Sequence, residues 1–280
     1  MLVACTSLAC AVEAPNDLAG NEVPMGGRGG GIAAGGSSGG LQHDSGTGGS
    51  GGDVECVAST LTPKLEKRPL DMVIHLDMSD SMGNAVAAVK ASFDQSFSTV
   101  MDQSGVDYRV IMMADIPFVP NPADPSRYFH LKHSTGSGEL PGVFLSTFDQ
   151  WKQWTRPDAA KALVAITDSG SGPSLTAAQF ESQLFDQLQL EGFGTKQKRN
   201  YRFHFISGFT GKQPSGAPWT AQDPIITNKA CAKLGAYGQE LAILTDGLRF
   251  SMCTYASYAS MFEQLAQAEL RHAATGDDPV

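Results

Sequence analysis

At 280 residues, the chain has room for one globular domain of about 200 residues with a tail, or for two small domains. Hydrophobic residues make up 41%, enough for a sizeable core, and the net charge of −9 argues against a nucleic-acid or anionic-membrane surface, since either partner repels an acidic protein at long range. No run of about 18 apolar residues occurs, so nothing in the sequence reads as a transmembrane helix.

The chain opens with Leu2-Val3-Ala4-Cys5, which fits a bacterial lipobox, in which small residues precede a cysteine that is lipidated and becomes the mature N-terminus. Cys5 is the expected lipid site, Cys10 the second choice, and an ordinary N-terminus with two cysteines the alternative. A secretory signal needs a basic start and an apolar run of about 7 to 15 residues. Only four residues precede Cys5, so the true start is expected upstream. Residues 1–19 are read as the end of this signal and the mature N-terminus. Residues 20–52 hold 15 of the chain's 31 glycines and almost nothing apolar, so they cannot offset their ordering entropy and read as a flexible tether. Gly35-Gly36-Ser37-Ser38-Gly39 matches a nucleophile elbow only by chance, lying in low-complexity sequence with no strand before it or helix after it.

The folded domain is expected over 53–273, with 274–280 frayed. Leu70 to Leu76 is apolar on both faces, as a central parallel strand should be. Val86, Val89, Phe93, Phe97 and Val100 recur at steps of three and four and predict one face of a helix that Gly105 stops. Tyr108 to Ile116 reads as a second strand, 117–126 with its prolines as a loop, and Tyr128 to Lys132 as a short strand. A helical stretch with Phe144, Phe148, Trp151 and Trp154 follows, its aromatics assigned to the core rather than to a partner surface. Ala162 to Asp168 is a third long strand. A helix from Ser174 to Leu190 places Phe180, Leu184 and Leu188 on one face. Tyr201 to Ser207 is a strand, Thr227 to Ala236 a helix, Leu241 to Thr245 and Leu248 to Met252 strands, and Ser257 to His272 the closing helix. Strands alternating with helices predict an α/β, doubly wound, mostly parallel sheet flanked by helices, with ligands beyond the carboxyl ends of the strands. Asp77 and Asp168 both fall there.

The first of those ends, Asp77-Met78-Ser79-Asp80-Ser81, puts one carboxylate and two hydroxyls in a tight turn, hard oxygen ligands suited to Mg²⁺. In its strand-to-helix setting this Asp-x-Ser-x-Ser pattern resembles the metal-ion-dependent adhesion site of the von Willebrand factor A domain, over about residues 69–273. The resemblance implies a ligand set of Asp77, Ser79, Ser81, a hydroxyl from the loop Ser134-Thr135-Gly136-Ser137, and Asp168, with water completing an octahedral Mg²⁺ shell; Mn²⁺ and Ca²⁺ are alternatives. Ser137 is favoured for the loop ligand, with Thr135 close behind. Asp80 departs from the family, which has glycine between the serines; its carboxylate either adds cation affinity or faces solvent. The plain alternative is a doubly wound domain whose strand-end carboxylates are merely solvated.

Leu241 to Cys253 carries a rival Thr-Asp-Gly, and its place near the end of the domain resembles the last-strand hairpin of secreted bacterial members of the family. On that resemblance Asp246 is a structural turn residue and Cys231–Cys253 the preferred disulfide, two free thiols being the alternative. Cys5, Cys10, Cys56, Cys231 and Cys253 form no Cys-x-x-Cys pair, which speaks against zinc. His130 and His133 are read as surface histidines rather than ligands, and His75 and His204 as packed within strands.

The family likeness implies binding rather than catalysis, with the cation bridging to a carboxylate on a protein partner. Together with the tether it looks like the lipoproteins of myxobacteria and their relatives, so the expected place is secreted or on the cell envelope, as an outer-membrane lipoprotein. The membrane is then reached only through the lipid anchor. The competing readings are a metal-dependent hydrolase on a doubly wound sheet, and a structural domain without metal. A phosphate-binding Gly-x-x-x-x-Gly-Lys-Ser/Thr loop is absent from the sequence.

Overall fold

The apolar run Leu70–Leu76 becomes β1, the strand on which the sheet is centred, and all seven of its residues are buried. The structure, a computed structural model, describes residues 67–134, 140–168 and 175–275. β1 pairs in parallel with β2 (Tyr108–Ala114) on one side and with β4 (Ala160–Ile166) on the other. Outside these lie β3 (Tyr128–Lys132), β5 (Tyr201–Ser207) and β6 (Arg249–Ser251), giving the order β3-β2-β1-β4-β5-β6, parallel throughout. The expected doubly wound α/β fold is present, and the strand order reverses between β1 and β4.

Side chains alternate across a strand, so Leu70, Met72, Ile74 and Leu76 enter one core and Val73 the other. The first core is covered by α1 (Gly83–Phe93), a π-helical turn Asp94–Ser98, α2 (Thr99–Ser104) and the long α7 (Tyr258–Thr275). Phe93 joins these layers, with ring centroids 5.0 Å from Phe97, 5.4 Å from Phe118 and 5.0 Å from Phe262. Burying one such ring contributes about 1.5–3 kcal/mol. The second core lies under α3 (Val143–Ser146), α4 (Phe148–Trp151), α5 (Ala177–Glu181) and α6 (Ala236–Leu244). Trp151 is buried there, and Trp154 packs at its margin, stacked on Phe129.

Four expectations are corrected. The core face of the first helix runs through Ala85, Val89, Phe93, Phe97 and Met101, leaving Val86 and Val100 only partly buried. A step of four drifts around an α-helix, and the wider π turn at Asp94–Ser98 returns the row to the core. Leu188 is 47% exposed, because a second π turn, Ser182–Gln187, ends the helix that buries Phe180 and Leu184. No helix spans Thr227 to Ala236; that stretch is irregular, and the helix begins at Ala236. The expected strand Leu241 to Thr245 is the end of α6, and β6 lies parallel to β5, so there is no hairpin. Thr245-Asp246-Gly247 is instead the helix stop: Asp246 sits at φ 53°, and Gly247 N–H reaches back to Ala242 O at 2.7 Å. Asp246 keeps its structural role, accepting from Arg202 at 3.3 Å.

The edge beyond β6 is covered by the proline-rich excursion after β5. Trp219 and Arg249 exchange backbone hydrogen bonds of 2.8 and 2.9 Å, and the buried Arg249 guanidinium donates to the carbonyls of Thr220, Asp223 and Pro224. An exposed sheet edge invites pairing with another chain, and this strap removes it.

Candidate functional site

The strand order reverses between β1 and β4, and doubly wound folds bind ligands beyond the carboxyl ends of the strands at such a point. Asp77 leaves β1 there, its N–H still bonded to Ile166 O at 3.0 Å. Its carboxylate is fully buried yet held on both oxygens: Oδ1 accepts from Ser79 N–H at 2.9 Å, and Oδ2 from Thr167 Oγ1 at 2.8 Å. The first bond closes a local Asp turn that redirects the chain; the second crosses from β1 to β4.

Beyond Asp77 the chain makes a tight turn, Asp80–Met82, in which Met82 N–H bonds to Ser79 O at 2.9 Å and the Met82 side chain is buried. With Met82 held in the core, Ser79 is half-buried and Ser81 is exposed, their Oγ atoms 3.2 Å apart. Asp80 is exposed as well. Asp168, next to Thr167, is half-buried, and its carbonyl accepts from Lys233 N–H at 3.1 Å. Asp77 and Asp168 thus stand just past the ends of the paired strands β1 and β4, with Ser79 and Ser81 in the turn that follows Asp77. Thr135 and Ser137 lie outside the described residues, as do Cys5 and the tether. The described chain approaches that loop at His133, whose N–H bonds to Ala114 O at 3.1 Å; His130 Nε2 meets the same carbonyl at 3.0 Å.

The segment carrying Lys233 is fixed over the ends of β4 and β5. Ala230 and Cys231 N–H groups donate to Gly208 O, Ser207 Oγ donates to Lys233 O at 3.2 Å, and Cys231 is bonded to Cys253. Gly208 is obligatory here, since a Cβ would run into Ala232. The expected Cys231–Cys253 disulfide is therefore present, with Cα atoms 5.7 Å apart.

Three participants escape sequence reasoning. Thr167 stands inside the expected strand Ala162 to Asp168, but its bond to Asp77 exists only once β1 and β4 pair. Lys233 arrives from a segment read as helix. His75, read as packed, is 1% exposed, with Phe144 edge-on at 6.2 Å, and neither ring nitrogen has a hydrogen-bond partner among the described residues. Burial pushes its pKa down to about 4 against the upward pull of Asp77, so the ring is neutral at pH 7.

Mg²⁺ holds oxygens at about 2.0–2.1 Å in an octahedron, which puts neighbouring ligand oxygens about 3 Å apart. The Ser79 and Ser81 hydroxyls, 3.2 Å apart, fit such an edge. Among the described residues no three His, Cys, Asp or Glu side chains converge to cage a metal. No family model, curated protein or solved structure matches the chain.

Proposed function

We propose that the chain is a metal-dependent protein-binding module of von Willebrand factor A type, in which Mg²⁺ at the carboxyl ends of β1 and β4 bridges to a carboxylate of a partner protein. The observation that carries this reading is the pair of serine hydroxyls at octahedral-edge spacing beside a buried, doubly hydrogen-bonded Asp77 carboxylate, at the one reversal of strand order. Ser79, Ser81 and Asp168 would hold the ion, Asp77 would supply charge to its water, and Thr135 or Ser137 would complete the set. The bound ion would act as a Lewis acid with an open position for the partner. Among the described residues no helix is long and apolar enough to cross a membrane. The disulfide favours an oxidising compartment, in line with export and an envelope anchor through Cys5.

A second reading, a structural domain without metal, draws on the same bonds: Asp77 already has both oxygens engaged, and Ser79 and Ser81 can bond to each other. Thermal unfolding of the full chain in Mg²⁺, Mn²⁺, Ca²⁺ and chelator separates the two, because only a ligand of the native state raises the midpoint. The adhesion reading expects a Mg²⁺-dependent rise that a Ser79→Ala, Ser81→Ala variant loses while its midpoint in chelator stays put. Identical midpoints in all four conditions leave the structural reading standing.

A further inference from the structure

The interior of the sheet holds a side chain that packing does not account for. His75 lies two residues before Asp77, so the alternation of an extended chain puts both on the same face. Its register neighbours are Met113 on β2 and Ala165 on β4, and Phe144 covers it from α3. That setting suits an apolar side chain, as the preceding same-face residue Val73 shows. An imidazole there leaves Nδ1 and Nε2 both buried and, among the described residues, unpartnered. Such orphans are rare in native interiors and call for a water or an ion.

We propose that His75 is a positioning residue for the cation's hydration shell, accepting a hydrogen bond from a water that bound Mg²⁺ would carry beside Asp77 at the carboxyl end of β1. This rests on the metal reading above. Mg²⁺ gives up its waters reluctantly and keeps several in protein sites, whereas Ca²⁺ takes a larger and more adaptable shell. Water on a divalent cation is a strong donor, and a neutral imidazole presents a lone pair without adding a competing positive charge. A fixed acceptor at that point therefore favours Mg²⁺ over Ca²⁺. Outer-shell partners of this kind change metal affinity about 10–100-fold.

The test titrates Mg²⁺ and Ca²⁺ calorimetrically into the full chain, wild type, His75→Leu, His75→Phe and His75→Gln, alongside thermal unfolding in chelator. The expected result crosses two readouts. His75→Leu and His75→Phe should match or exceed the wild-type midpoint in chelator, because an orphaned polar group is gone, while Mg²⁺ affinity falls about 10-fold and Ca²⁺ affinity falls less. His75→Gln, which keeps a hydrogen-bonding group, should recover part of the Mg²⁺ affinity. A ring needed only for packing gives the reverse, a lower midpoint in chelator with Mg²⁺ affinity unchanged, and that overturns the inference. If one apolar variant does not fold, the other and His75→Gln decide on the same readouts. Wild-type protein that binds no Mg²⁺ removes the metal reading and this inference together; wild-type binding matched by the apolar variants removes this inference alone.

Discussion

A buried carboxylate is expensive to keep unless its oxygens are bonded, and Asp77 is kept by one local and one distant donor. The local one, Ser79 N–H, comes with the turn; the distant one, Thr167 Oγ1, ties the end of β1 to the end of β4. Thr167→Val preserves shape and removes that donor, leaving the buried Asp77 Oδ2 short of a protein partner. The expected loss is about 1–3 kcal/mol of unfolding free energy, read by urea denaturation in chelator. A variant as stable as the wild type would show that Asp77 does not depend on the cross-strand bond. The contrast between the two donors also explains what could be read beforehand. Asp77, Ser79 and Ser81 sit within one turn, so their place together was legible in five consecutive residues. Thr167 and His75 take their roles from strand pairing, which no local pattern encodes.

Among the elements, β1, β3, β5 and α7 were legible because each is a long or strongly bounded pattern. The region from Thr227 to Thr245 was not. Leu241 to Leu244 is a short apolar run, which periodicity cannot assign to strand or helix. Contacts made elsewhere decide it. Gly238 lets α6 approach β5 so closely that a Cβ would stand 2.7 Å from the Phe205 ring, and the buried Gln239 amide bonds both the N–H and the carbonyl of Ile226. The disulfide then fixes the irregular segment before α6 to Cys253, two residues past β6, across a separation of 22 residues. Closing a loop of that length removes unfolded-state entropy worth about 3 kcal/mol in the chain-entropy model. The Cys231→Ser, Cys253→Ser variant should lose about that much in guanidinium unfolding. Because Lys233 N–H holds Asp168 O two residues from Cys231, the same variant should also bind Mg²⁺ more weakly. Unchanged unfolding free energy would mean that the Gly208 bonds alone secure the segment.

At the scale of the whole molecule, the two ends of the sheet are built for different work. The amino end is closed by charge: the buried Asp71 carboxylate accepts from Arg156 N–H at 2.5 Å, Nε at 2.9 Å and Nη2 at 2.7 Å, with the buried Lys161 ammonium 3.5 Å away. At the carboxyl end Asp77 is buried but neutral donors hold it, and Ser79, Asp80, Ser81 and Asp168 reach toward solvent. Between them α7 seals one face through another buried carboxylate. Glu269 has His204 Nε2 at 2.9 Å on one oxygen and His272 Nδ1 at 3.3 Å on the other, and Leu248 N–H donates to His204 Nδ1 at 3.0 Å, so the ring hydrogen on Nε2 goes to Glu269. Burial pushes Glu269 up, but His204 and His272 pull it down by more, and it stays charged well below the ordinary carboxylate range. A carboxylate depressed in the folded state stabilises fully above its unfolded value, near 4.5, and that contribution drains away as pH falls toward the folded value. Glu269→Gln should therefore cost about 2 kcal/mol at pH 7 and less at each step below about pH 5, so that urea stability curves for wild type and variant converge toward pH 2. Curves that stay parallel from pH 7 to pH 2 would place the acid sensitivity of the fold elsewhere, with the Asp71 cluster at the amino end the next carboxylate to replace.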